Sequence, residues 1–267
     1  MLTSIDSVIS RFQASPSNAL LYYLITAIAV LISLILHENA HGFVALWSGD
    51  PTAKMLGRLS LNPSKHLDPL GTVSMLLFHF GWAKPVPINP QNFKHYKRDF
   101  IFVSLAGIAM NLLLFLLFMI VSVLLNQVLW NNAMIAPYSP SDFYFAPYNV
   151  ISSMSVRYRD MLAPSELAGF LKVPALMYLQ FFFQELSICN LSLAIFNLLP
   201  IPPLDGFRVI QGFAGKRMRI TPQIMQIIQF AMIALLITGI ISKVINFIFD
   251  PIYIGVLDLL NNLFGFA

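Results

Sequence analysis

Charged side chains are scarce in this sequence of 267 residues. Asp, Glu, Lys and Arg make up 10% of it, against about 25% in a soluble globular domain. Hydrophobic residues make up 57%, and the mean hydropathy is +0.73. A water-soluble fold of this size could not hide so much apolar surface, which excludes an ordinary soluble enzyme and makes lipid the main solvent. Cysteine is scarcer still: Cys189 stands alone in an apolar stretch. An internal disulfide and a CxxC metal site are both excluded, and a buried free thiol is the simple reading. Internal repeats, low-complexity segments and a second soluble domain are also missing, so residues 1–267 read as one membrane-embedded domain. The net charge of +4 does not point to nucleic acid. The N-terminus lacks the basic start and small-residue cleavage site of a signal peptide, so the first hydrophobic run is expected to be retained as a membrane helix.

Crossing the hydrocarbon core takes about 20 apolar residues as a helix. Four segments qualify: about Ala19 to Trp47, Phe100 to Leu129, Val173 to Leu199, and Pro222 to Phe249. Ser17 or Asn18 would cap the first, and Pro222 suits the first turn of the fourth. The 17 prolines and 13 glycines scattered among the apolar runs suggest broken or kinked spans. Leu67 to Trp82 is shorter and holds Pro69, Gly71 and Gly81, which favours a re-entrant or extended element over a span. The expected fold is therefore an all-α polytopic membrane protein with four long helices, one re-entrant element and a small β content near the active site.

Charge placement supports that choice. Lys54, Arg58, Lys65, Lys84, Lys94, Lys97 and Arg98 lie before the second span, and Arg208, Lys216, Arg217 and Arg219 follow the third. If Leu67–Trp82 dips and returns, these eleven of the 16 basic residues share one side, which the positive-inside rule makes cytoplasmic. Both termini would then lie outside. Residues 130–170 would form an extracytoplasmic loop rich in Pro, Tyr and Phe, either an interfacial anchor or a lid over substrate entry. The catalytic core would cover about 19–213, with a C-terminal span and an interfacial tail over 222–267.

At the end of the first span sits His37-Glu38-Asn39-Ala40-His41. On a helix, positions i and i+4 share a face. Two imidazoles so placed can bind one Zn²⁺, with the intervening Glu beside the attacking water. The bland alternative is a pair of hydrogen-bonded core histidines, but ionisable groups inside a membrane helix are expensive and usually functional. Zinc lowers the pKa of water and polarises the scissile carbonyl, while Glu38 would carry the proton to the leaving amine. A catalytic zinc site takes three protein ligands. The third candidates are Asp68, His66, Glu185 and Asp205. Asp205 ends Asn197-Leu-Leu-Pro-Ile-Pro-Pro-Leu-Asp205-Gly206, on the same side as His41 in this topology. Glu185 reads as a structural acid deep in the third span. His79 and His95 read as interface or loop residues.

HExxH in an early membrane helix, paired with Asn197-Leu-Leu-Pro200-Ile-Pro-Pro-Leu-Asp205-Gly206 in a later one, resembles the site-2 protease family of intramembrane metalloproteases. Gly49–Lys54, Gly57–Pro63, His66–Thr72 and Gly81–Pro90 resemble its compact bacterial branch, which lacks PDZ and CBS domains. The resemblance covers roughly His37 to Arg208. It implies His37, His41 and Asp205 as ligands of one Zn²⁺ per chain, and Glu38 as general base. It also singles out Asn111 and Asn197 as core polar residues that hold a substrate strand or glue helices together. The family's usual Gly-Pro reads Gly107-Ile108 here, implying a softer helix break. The stretch after His66 resembles the family's re-entrant region, whose extended edge would receive an unwound substrate. Substrates would be transmembrane or membrane-associated proteins, cut in a bacterial plasma membrane near its cytoplasmic side. Two other readings are a membrane-bound metallopeptidase acting on soluble peptides at the cytoplasmic face, and a non-catalytic metal-dependent membrane binder or transporter.

Overall fold

A computed structural model describes Ile9, Phe12, Gln13, residues 16–68, 83–130, Tyr144, 171–173, 175–214 and 221–264. The longer helices among the described residues are α1 (Pro16–Trp47), α2 (Tyr96–Leu129), α3 (Leu176–Leu198), α4 (Asp205–Ala214), α5 (Pro222–Ile237) and α6 (Ile240–Phe264). Four stretches are long and apolar enough to cross a membrane: Ala19–Trp47, Tyr96–Asn126, Leu176–Leu198 and Lys243–Phe264. The described residues form no sheet, and their β content is two isolated bridges, Leu67 with Ala83 and Trp130 with Leu171.

The first three spans fall where hydrophobic length puts them, and α1 begins at Pro16, so Ser17 and Asn18 sit inside its first turn. The fourth does not. The expected helix over Pro222–Phe249 is divided at Gly239, whose φ of +73° is a left-handed conformation that ends a helix cheaply only at glycine. The qualifying span is displaced into α6, across residues that the composition alone assigns to an interfacial tail.

The chain sorts into two compact units, one built mainly from Leu31–Leu113 and Asn190–Phe249, the other from Thr3–Val30, Leu114–Cys189 and Asp250–Ala267. In the first unit, α1 stops at Ser48-Gly49, where Gly49 has a φ of +106°. Asp50 then ties the following chain together. Its carboxylate accepts from Thr52 N and Oγ1, from Asn89 N at 2.7 Å and from Asn92 Nδ2 at 2.8 Å. The start of α2 is secured by Asp99, which accepts the N–H of His95 at 2.8 Å and pairs with Arg98. Ala45, Phe93 and Val103 pack together beneath these ties. Pro200, Pro202 and Pro203 follow α3 and cannot donate to a helical ladder, so the chain turns before α4. Leu204, Met232 and Ile241 form the adjoining apolar cluster.

The re-entrant element lies, over residues 69–82, outside the described residues, as do the loop over 131–143 and 145–170, His79, and Lys216, Arg217 and Arg219. The two ends of the first of these segments are described, and they meet. Leu67 bridges Ala83, and Lys84 N donates to His66 O at 2.7 Å. Arg58 fastens the returning segment by donating to the carbonyls of Lys84 and Pro85.

In the second unit, Tyr22 packs on Phe181, and a chain of buried polar groups links α2, α3, α6 and Tyr144. Asn126 Oδ1 accepts from Trp130 Nε1 and Gln180 Nε2, Gln184 Nε2 donates to Tyr144 O, and the Tyr144 hydroxyl meets Ser122 and Tyr253.

Candidate active site

His37 and His41 are one turn apart on α1, so their rings leave the same face and lie edge to face, centroids 4.7 Å apart. Asp205 opens α4, where its negative charge suits a helix N-terminus. All three residues are buried. His37 Nε2 lies 3.1 Å from His41 Nε2, and Asp205 Oδ2 lies 3.1 and 3.0 Å from these two nitrogens. Ligand atoms on neighbouring corners of a tetrahedral zinc with bonds of 2.0–2.1 Å stand about 3.3 Å apart. The triangle therefore has nearly the spacing that one shared ion imposes.

The protons argue the same way. His41 Nδ1 lies 2.6 Å from Val103 O, and a carbonyl can only accept, so that nitrogen carries the hydrogen. When His41 is neutral, Nε2 turns a lone pair toward a carboxylate oxygen 3.0 Å away. Two acceptors so close repel each other unless a cation lies between them. Burial alone would raise the Asp205 carboxyl, but hydrogen bonds and positive charge from the imidazoles of His37 and His41, when those rings are protonated, lower it. Arg208, one turn along α4, approaches Asp205 Oδ1 at 3.7 Å, on the oxygen that does not face the histidines. Two imidazoles and one carboxylate form the donor set of a catalytic zinc.

Two glycines explain how the groups approach so closely. A Cβ on Gly107 would lie 2.4 Å from both His37 Cε1 and His41 Nε2, so only glycine lets α2 back onto the rings. Helix α2 runs unbroken through Gly107-Ile108, in keeping with the absence of proline there. A Cβ on Gly206 would lie 2.3 Å from Leu198 O, which accounts for the glycine after Asp205. Beside the triangle, Glu38 is half-buried, and its Oε2 accepts the backbone N–H of Val86 at 2.8 Å. Val86 also packs where a Cβ on Gly42 would intrude, so the returning segment is fitted against the HExxH turn.

Of the other expected residues, Asn111 reaches the site: its Nδ2 stands 3.1 Å from His37 Nδ1. Asn197 Nδ2 donates to Leu193 O in its own helix at 3.0 Å. His66 is buried with Nε2 2.8 Å from Ser60 O, and Glu185 belongs to the second unit, where it accepts from Thr26 Oγ1 at 3.0 Å. Among the described residues only His37, His41 and Asp205 gather as a metal-binding group, so Asp68 is not part of it. His95 is exposed. The sequence reading missed Val103, Val86 and Asp50. The first two act through backbone atoms, which leave no mark in a sequence, whereas the Gly49-Asp50 turn was visible as a helix stop.

The family model described as Peptidase family M50 matches residues 25–239. Two bacterial proteins provisionally named as zinc metalloproteases are similar to the chain. YwhC of Bacillus subtilis (strain 168) is 35% identical over 213 residues, which is 79% of this chain and 78% of that protein. Rip2 of Mycolicibacterium smegmatis (strain ATCC 700084 / mc(2)155) is 29% identical over 185 residues, 68% of this chain and 54% of that protein. No solved structure matches the chain.

Proposed function

The chain belongs to peptidase family M50, the site-2 protease family, as a membrane zinc metalloprotease, and on that premise we propose that it hydrolyses peptide bonds of transmembrane or membrane-associated proteins. The observation that carries the proposal is the buried triangle of His37, His41 and Asp205 on helices that include candidate membrane spans. His37, His41 and Asp205 would hold the ion. A bound zinc would supply Lewis-acid polarisation of the scissile carbonyl and of water.

The remaining steps belong to the chain's own groups. Glu38 accepts the proton of the attacking water and returns it to the leaving nitrogen as the C–N bond breaks. Val86 N–H holds one oxygen of that carboxylate, which leaves the other to exchange the proton. The same N–H keeps Glu38 aimed. The segment that returns to Leu67 at Ala83 would receive the unwound substrate along its edge. Because the ends of the re-entrant element meet, the basic residues on either side of it share one face, which supports a cytoplasmic site in a bacterial plasma membrane.

The test is cleavage of a panel of single-span substrates in liposomes by wild type and Glu38→Gln, with zinc measured in the same samples. We expect Glu38→Gln to keep its zinc and lose cleavage by about 10²–10⁴-fold. Equal cleavage by both proteins would overturn the role of Glu38. Cleavage retained when the scissile bond is moved from the span to a soluble tail would favour peptide hydrolysis at the membrane surface instead.

A further inference from the structure

The two histidines are backed by different kinds of partner. Behind His41 stands the Val103 carbonyl, which can only accept and so fixes one tautomer. Behind His37 stands the Asn111 carboxamide, which can either donate or accept. Asn111 is fully buried, and the end of its amide that faces away from His37 has no partner among the described residues. Nothing on that far side sets the amide's orientation, so the protonation of the ring can set it. With Nδ2 toward His37 Nδ1, the amide donates, and the ring hydrogen sits on Nε2, pointing at Asp205. With the amide turned by half a revolution, Oδ1 occupies the same place and accepts from Nδ1–H. The Nε2 lone pair then joins those of His41 and Asp205.

We infer that Asn111 is the positioning residue that holds His37 in its metal-binding tautomer, the counterpart of Val103 for His41. The inference rests on the metal-site reading above. It differs from a helix-gluing role, in which Asn111 would affect packing and leave metal affinity alone. A ring nitrogen bound to metal needs its other N–H satisfied, and the loss of such a partner costs about 10–100-fold in metal affinity.

The experiment is competition for zinc between the full chain in detergent and a chromogenic chelator, with the melting temperature of the metal-free protein as the check on folding. Asn111→Leu, which offers no acceptor, is expected to weaken zinc binding by about 10–100-fold. Asn111→Ala serves as a second acceptor-free variant should the leucine fail to fold. Asn111→Asp keeps an oxygen in place and can only accept, so it is expected to restore affinity to within a few-fold of wild type. Wild-type affinity in a folded Leu or Ala variant, or a folded Asp variant as weak as they are, would overturn the inference alone. A wild-type chain with no tight zinc site would overturn the metal-site reading together with it.

Discussion

Both compact units bury polar side chains on helices made mostly of Leu, Ile, Val and Phe, yet the two sets of groups differ in kind. In the second unit, donors meet acceptors: Trp130 and Gln180 each give a hydrogen to Asn126, and Gln184 gives one to a carbonyl. In the first unit, three atoms that can each turn a lone pair to one ion lie within 3.1 Å of one another. The first pattern gives each of these hydrogens an acceptor and can serve as glue between helices. The second is an arrangement that could hold a cation. Buried polarity in a membrane protein therefore does not identify a site; ligand atoms converging on one point do.

That contrast can be broken in several ways. The largest effect is expected for Gly107→Ala, which drives a methyl group into both histidine rings. Bound zinc should fall from one per chain to none and cleavage should vanish, and metal analysis of the purified protein would show it. Zinc retained at full stoichiometry would mean that α2 moves away more freely than its packing suggests. Next, Asn126→Leu strands the Trp130 and Gln180 donors and should cost about 1–3 kcal/mol of stability, since each buried group left unmade carries a desolvation penalty. Zinc content should not change, so a drop in metal would contradict a purely structural reading of that cluster.

A comparable effect, of about 1.5–3 kcal/mol at most, is expected at Asp50, where hydrogen bonds end on a charged group. Burial by itself would raise its carboxyl, but the bonds from Thr52, Asn92 and Asn89 outweigh burial and hold it below the ordinary carboxylate value. A lowered carboxyl contributes stability above its unfolded pKa of about 3.9 and loses it as pH falls through the folded value. Melting curves in detergent should show wild type losing this margin on acidification. Asp50→Asn should melt lower at neutral pH and lack that part of the slope. The smallest effect is expected for Tyr144→Phe, about 0.6 kcal/mol, typical of a hydrogen bond between membrane helices. A larger drop on thermal unfolding would make Tyr144 more than one bond in the chain of polar groups.

The metal triangle was legible in the sequence to the extent that its geometry is local. His37 and His41 sit one helical turn apart, and that spacing is written in five letters. Asp205 was one of four acids and histidines until the paired motif singled it out, because a contact between residues 41 and 205 depends on how helices pack. Gly107 appeared as half of an altered Gly-Pro pair, but its task of admitting two rings requires knowing which face of α2 meets α1. The fold was legible wherever hydrophobic length decides. It failed at Thr238-Gly239-Ile240, where an unbroken apolar run concealed a stop that rests on one backbone angle. Val86 and Val103 could not have been found, since any residue supplies the same N–H and carbonyl.

The spread of the three proposed ligands along the chain has a consequence for how the protein can be studied. His41 and Asp205 are far apart in sequence and belong to separate helices, so an ion shared between them is a crosslink as well as a reagent. Anything that binds the native state alone stabilises it by mass action, by about 2.7 kcal/mol at a hundredfold excess over the dissociation constant, and so raises the melting temperature. Thermal shift against free zinc should therefore titrate the site in a protein for which no substrate is in hand. The same curve, run on crude membranes with an inhibitor added, would turn heat resistance into a screen for molecules that occupy the centre.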